Sequence, residues 1–114
     1  MVAEKRRETA LITGASGGIG EELAKVCAAH DIDLVLVARS EERLRSLANN
    51  LASQHGTRAT VLPANLADPG ACDRLCQELS AQRIEVDLLI NNAGFGMQGA
   101  FAQMDVQEIA DMLQ

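Results

Sequence analysis

Aromatic residues are almost missing from this chain: 114 residues include two Phe, no Trp and no Tyr. Without a phenol, no step here can use a Tyr hydroxyl as acid or base. The core must be built from Leu, Val, Ile and Ala. Basic charge is scarce too, with ten Lys and Arg against sixteen Asp and Glu and a net charge of −6. A nucleic-acid binder carries a basic footprint, which excludes nucleic acid as the expected partner. The one basic cluster, Lys5-Arg6-Arg7, reads as a solvated tail. No run of about 18 apolar residues occurs, so no membrane span is expected. No apolar stretch of signal-peptide length follows the N-terminal charges. Cysteine is sparse and odd in number: Cys27, Cys72 and Cys76. That fits reduced thiols and a cytoplasmic location better than a disulfide framework. Cys72 and Cys76 stand one helical turn apart, but the two His are at 30 and 55. They read as small buried hydrophobes, and no metal site is expected.

What is present is an alternation of apolar periods. Ala10-Leu11-Ile12 is a short continuous apolar run, as in a strand buried on both faces. Ile19, Leu23, Val26 and Cys27 then form a helical stripe. Asp33 to Val37 is again a buried strand. Ser40 predicts a helix N-cap, with Leu44, Leu47, Ala48 and Leu51 at helical spacing and Gly56 closing the helix. Arg58 to Leu62 predicts a third strand. Asp68 and Pro69 predict a cap and a first helical position, with Ala71, Leu75, Cys76 and Leu79 as the stripe. Asp87 to Asn91 predicts a fourth strand. Asp105, with Glu108 three residues on, predicts a capping box for a last helix carrying Val106, Ile109, Ala110 and Leu113. The order β-α-β-α-β-α-β-α implies a parallel sheet covered on both faces, half of a doubly wound α/β fold.

The first strand-to-helix loop is Thr13-Gly14-Ala15-Ser16-Gly17-Gly18-Ile19-Gly20. Glycine there allows a tight turn and lets backbone approach a pyrophosphate, which the helix N–H groups then face. Such turns also occur without ligands. No Gly-Lys-Ser/Thr follows, which excludes a Walker phosphate loop, and strict G-x-G-x-x-G spacing is absent.

T-G-x-x-x-G-x-G is present, and with it the sequence resembles the short-chain dehydrogenase/reductase family, over essentially the whole element order. The resemblance implies a Rossmann-type doubly wound sheet and a nicotinamide dinucleotide held by Gly14, Ser16, Gly17, Gly18, Ile19 and Gly20. Three further matches support it. Arg39 ends the second strand, nineteen residues after Gly20. A basic residue there suits the 2′-phosphate of NADP, whereas an acidic one would suit NAD. NADP is therefore expected in preference to NAD, although Arg43 and Arg45 compete for the role, and the family's other basic position is Gly17. Asn65-Leu66 follows the third strand where the family has Asp-Leu or Asp-Val beside adenine. Asn65 departs from that pattern; its amide oxygen either accepts from adenine or serves a turn. Asn91-Asn92-Ala93-Gly94 matches the family's N-N-A-G motif. The resemblance gives Asn91 a role in tying the sheet, and Asn92, Ala93 and Gly94 a place beside the cofactor ribose. Phe95, Met97 and Phe101 follow, either lining a substrate entrance or packing a loop.

The family's proton-transfer apparatus is Ser, Tyr, Lys and Asn. Here Tyr is absent, the Lys are Lys5 and Lys25, and the five Ser stand at 16, 40, 46, 53 and 80. None matches a catalytic position. The expectation is a single partial dinucleotide-binding domain over 1–114, truncated after the fourth strand and following helix, inactive alone because a substrate proton needs a positioned acid or base. An open fourth-strand edge would invite a second copy or a complementing chain. The alternatives are a stand-alone NADP(H)-binding or sensing module, and an interaction protein that kept the fold without the ligand.

Overall fold

The computed structural model describes residues 7–92. The predicted helix at Asp105 to Leu113, and Ala93, Gly94, Phe95, Met97 and Phe101, lie outside the described residues. Seven elements alternate: β1 (Thr9–Thr13), α1 (Gly18–Ala29), β2 (Asp33–Ala38), α2 (Glu41–His55), β3 (Ala59–Pro63), α3 (Ala71–Ala81) and β4 (Leu88–Asn91). The four strands form one parallel sheet in the order β3-β2-β1-β4, which is the expected doubly wound arrangement.

Strand alternation divides the core in two. Ala10, Ile12, Leu34, Leu36, Leu88 and Ile90 point to the face covered by α1 and α2. Leu11, Val35, Val37 and Leu89 point to the other, where Leu75 and Leu79 of α3 meet them. Both faces are apolar, which is why these strands read as continuous hydrophobic runs. Register sets Leu11 between Val35 and Leu89, and Ile12 between Leu36 and Ile90.

The α2 boundaries follow the sequence signals. Ser40 Oγ accepts from Arg43 N at 3.4 Å, and Gly56 closes the helix in the left-handed conformation. Two expectations need correction. The buried face of α1 is Gly20, Ala24, Cys27 and Ala28, while Ile19 and Val26 are exposed. Small residues let the helix axis approach the sheet, so the larger side chains at 19 and 26 point away. The α3 helix begins at Ala71, with Gly70 as N-cap at φ 79°. Asp68 and Pro69 belong to the preceding turn, where Asp68 N donates to Asn65 O and Ala71 N to Asp68 O. Neither is the cap or the first helical residue.

Among the described residues, no helix is long and apolar enough to cross a membrane. No three His, Cys, Asp or Glu among them gather as a metal site requires.

Candidate functional site

All four strands run the same way, so their C-terminal ends share one edge of the sheet. Thr13, Ala38, Pro63 and Asn91 end the strands there. Ligands bind at this edge in open α/β sheets, beside the point where strand order reverses. The reversal here falls between β1 and β4, with β2 on β1's other side.

Thr13 organises that point. Its side chain is fully buried, and its hydroxyl donates to Asn91 Oδ1 while accepting from Asn92 N, each at 2.9 Å. Asn92 Nδ2 donates in turn to Gly14 O at 3.4 Å. The ends of β1 and β4 are therefore tied through side chains, and Asn91 has the sheet-tying role expected of it. Sequence reasoning missed Thr13; the available signal was one hydroxyl at the end of an otherwise apolar buried strand.

The glycine loop leaves β1 tightly. Ala15 is fully buried and its N–H donates to Val37 O at 3.2 Å, anchoring the loop on β2. Gly18 adopts φ +53°, and a Cβ there would meet nothing within 4 Å. The same openness holds at Gly17. Gly20 is the opposite case. A Cβ there would collide with Gly14 O and stand 2.8 Å from Asn92 Nδ2. Gly20 is thus required by the close approach of α1 to the strand ends, whereas Gly17 and Gly18 border open space. No side chain caps α1, so its first N–H groups face that space. Ile19 adds an exposed side chain at the same end.

A cleft of about 540 Å³ opens beside this loop, between the ends of β2 and β3. Gly14, Ser16, Arg39, Asn65 and Leu66 line it together, joined by Ser40 and Arg43. The structure thus brings together five of the expected site residues and places Gly17, Gly18, Ile19 and Gly20 on the adjoining helix start. Ala93 and Gly94 lie outside the described residues. In a protein of net charge −6, this lining includes two arginines and no carboxylate. Neither arginine has an ion-pair partner among the described residues.

Asn65 has a turn role in this structure. Its Oδ1 accepts from Ala67 N at 3.0 Å. A carbonyl oxygen has a second lone pair, so this acceptor can take one further donor. Lys25 sits elsewhere, 3.3 Å from Glu21 and 3.5 Å from Glu22. The Glu21 hydrogen bond, with the charge of Glu22, holds its ammonium above the usual lysine pKa. It is a surface ion-pair partner with no lowered pKa for proton transfer. Burial pushes the Cys27 thiol up to about 11, which leaves it protonated and inert.

Comparison with known proteins agrees with this geometry. The chain is 43% identical over 93 residues to a fatty acyl-CoA reductase of Acinetobacter baylyi, covering 82% of this chain and 31% of that protein. Among solved structures it is similar to L-sorbose reductase of Gluconobacter frateurii complexed with NADPH and L-sorbose. The TM-score is 0.73 at 34% identity, over 79% of this chain and 34% of that one. An alcohol dehydrogenase of Thermococcus sibiricus complexed with 5-hydroxy-NADP matches with TM-score 0.70 at 28% identity, over 74% of this chain and 36% of that one. The chain thus spans about a third of the length of the relatives it matches. The sequence profile of the short chain dehydrogenases matches residues 8–114, and the chain belongs to that family.

Proposed function

We propose that this chain is the NADP(H)-binding part of an oxidoreductase that moves hydride between NADP(H) and a carbonyl or alcohol substrate. The observation that carries it is the carboxylate-free cleft in which Arg39 stands with Gly14, Ser16, Asn65 and Leu66. A 2′-phosphate needs a cation at the end of β2, and Arg39 is there with no competing carboxylate. The open space over Gly17 and Gly18, faced by the uncapped start of α1, suits a pyrophosphate. NADPH in the L-sorbose reductase complex and 5-hydroxy-NADP in the alcohol dehydrogenase complex support the same assignment.

In this assignment the glycine loop and the start of α1 hold the pyrophosphate. Arg39 holds the 2′-phosphate, Asn65 and Leu66 flank adenine, and Asn92 lies beside the ribose. When bound, the cofactor supplies the hydride chemistry. The residues of this chain bind and orient it; with no Tyr, they hold no phenol to move a substrate proton. The 114 residues alone are therefore expected to bind cofactor without turnover.

The test is Arg39→Asp. It places a carboxylate where the 2′-phosphate sits and offers an acceptor to the 2′-hydroxyl of NAD. NADPH affinity is expected to fall at least about tenfold while NADH affinity holds or rises, since one charge-assisted contact is worth roughly 1.5–3 kcal/mol. An unchanged NADPH affinity would show Arg39 to be a plain surface residue.

A further inference from the structure

Arg39 is not the only cation on the cleft. Arg43, from the first turn of α2, lines the same space, and it also lines the neighbouring groove between α1 and α2. Three observations decide which side has use for it. First, the carboxylate on the groove side, Glu21, is already engaged by Lys25 at 3.3 Å. Second, no ion-pair partner of Arg43 exists among the described residues, and no carboxylate lines the cleft. Third, its backbone is fixed, because Arg43 N donates to Ser40 Oγ, and Ser40 lines the cleft as well. Arg45 makes the contrast. It lies two residues on, yet its Nε is 2.7 Å from Glu41 Oε2, and it does not line the cleft.

We propose that Arg43 is a second specificity-determining residue, holding the 2′-phosphate jointly with Arg39. The assignment rests on NADP being the cofactor. Two guanidinium groups on one dianionic phosphate make separate charge-assisted contacts, and the capped helix turn holds the second in place. Arg39 comes from the end of a strand and Arg43 from the following helix, so the preference for NADP is divided between two elements. The Ser40 hydroxyl positions Arg43 by accepting from its N–H.

The experiment uses two fragments that differ only in the 2′-phosphate, 2′,5′-ADP and 5′-AMP. Both are titrated calorimetrically into the 114-residue chain and its Arg39→Gln, Arg43→Gln, Arg43→Lys and Arg45→Gln variants. Arg43→Gln is expected to weaken 2′,5′-ADP about tenfold and to leave 5′-AMP unchanged within about twofold. Arg43→Lys should lose less, because the charge remains while the planar fork is lost. Arg45→Gln removes the same charge from the same helix and should leave both fragments unaffected. Equal weakening by Arg43→Gln and Arg45→Gln would reduce the effect to net charge and overturn the assignment. So would an Arg43→Gln variant of unchanged 2′,5′-ADP affinity where Arg39→Gln loses the preference. Equal binding of the two fragments by the unsubstituted chain would instead overturn NADP as the cofactor, and the role of Arg43 with it.

Discussion

Substituting Gly18 and Gly20 separately should split two roles that the glycine loop combines. At Gly20 a methyl group would collide with Gly14 O and stand 2.8 Å from Asn92 Nδ2 and 2.9 Å from Gly14 C. Ordinary contacts to carbon lie near 3.5–4.0 Å, so α1 must retreat from the strand ends by roughly 0.7 Å or more. Overpacking of this kind costs about 1–3 kcal/mol, and the neighbour here is backbone, which places Gly20→Ala near the upper figure. For a domain of this size about 3 kcal/mol lowers Tm by roughly 12–20 °C. At Gly18 the new methyl meets nothing within 4 Å, and only the left-handed φ of +53° opposes it. That costs about 1–2 kcal/mol. The added carbon then stands in the space assigned to the pyrophosphate. Thermal unfolding and NADPH titration of both variants measure the two effects. Gly20→Ala should lose the greater stability, and Gly18→Ala should lose at least about tenfold in affinity for a smaller change in Tm. A Gly20→Ala protein with unchanged Tm would refute the close approach of α1 to β1. Unchanged NADPH affinity in Gly18→Ala would refute the place given to the pyrophosphate.

Two further outcomes follow from buried groups. Thr13→Val keeps the shape of the side chain but removes its bonds to Asn91 and Asn92, so urea unfolding should show a loss of about 1–3 kcal/mol. Wild-type stability in that variant would mean the tie between β1 and β4 lies elsewhere. Burial pushes the Cys27 thiol up from its ordinary 9.0 to about 11 in the folded chain. Its raised pKa means the unfolded chain gives up the proton first. The contribution is fully present below pH 9 and is lost progressively as pH rises from about 9 to 11. Unfolding between pH 8 and 11 should show an alkaline loss of up to about 2 kcal/mol that Cys27→Ala lacks. An identical pH dependence in the two proteins would contradict the burial of that thiol.

Much of the fold was legible because the sheet is buried on both faces. Leu34 to Val37 and Leu88 to Ile90 lack polar alternation, as do strands of a parallel sheet covered by helices on both faces, and their alternation with helical stripes points to that sheet. The ends of α2 were legible because Ser40 and Gly56 act locally, through a side-chain cap and a left-handed residue. The face of α1 was not, because Ile19 and Val26 dominate a pattern read by size, while contact with the sheet is made through Gly20, Ala24, Cys27 and Ala28. The start of α3 misled for a related reason. Asp68-Pro69 carries the local signature of a helix start, but the chain turns once more at Gly70 before Ala71. At the site, Gly14, Ser16, Arg39, Asn65 and Leu66 were found through loop spacing and strand ends, and they do line one cleft. Thr13 and the place of Arg43 depend on which strands and helices become neighbours. Thr13 meets Asn91 across 78 positions of sequence. Arg43 differs from Arg45 only in which side of α2 it leaves and in whether Glu41 is within reach.

The most direct measurement is a titration of the 114-residue chain with NADPH and with NADH, followed by nicotinamide fluorescence and by calorimetry. Saturable binding of NADPH, at least about tenfold tighter than NADH, is the predicted result, because only NADPH presents a 2′-phosphate to the arginine-lined cleft. Equal affinity for the two nucleotides, or no binding of either by folded protein, would contradict the account.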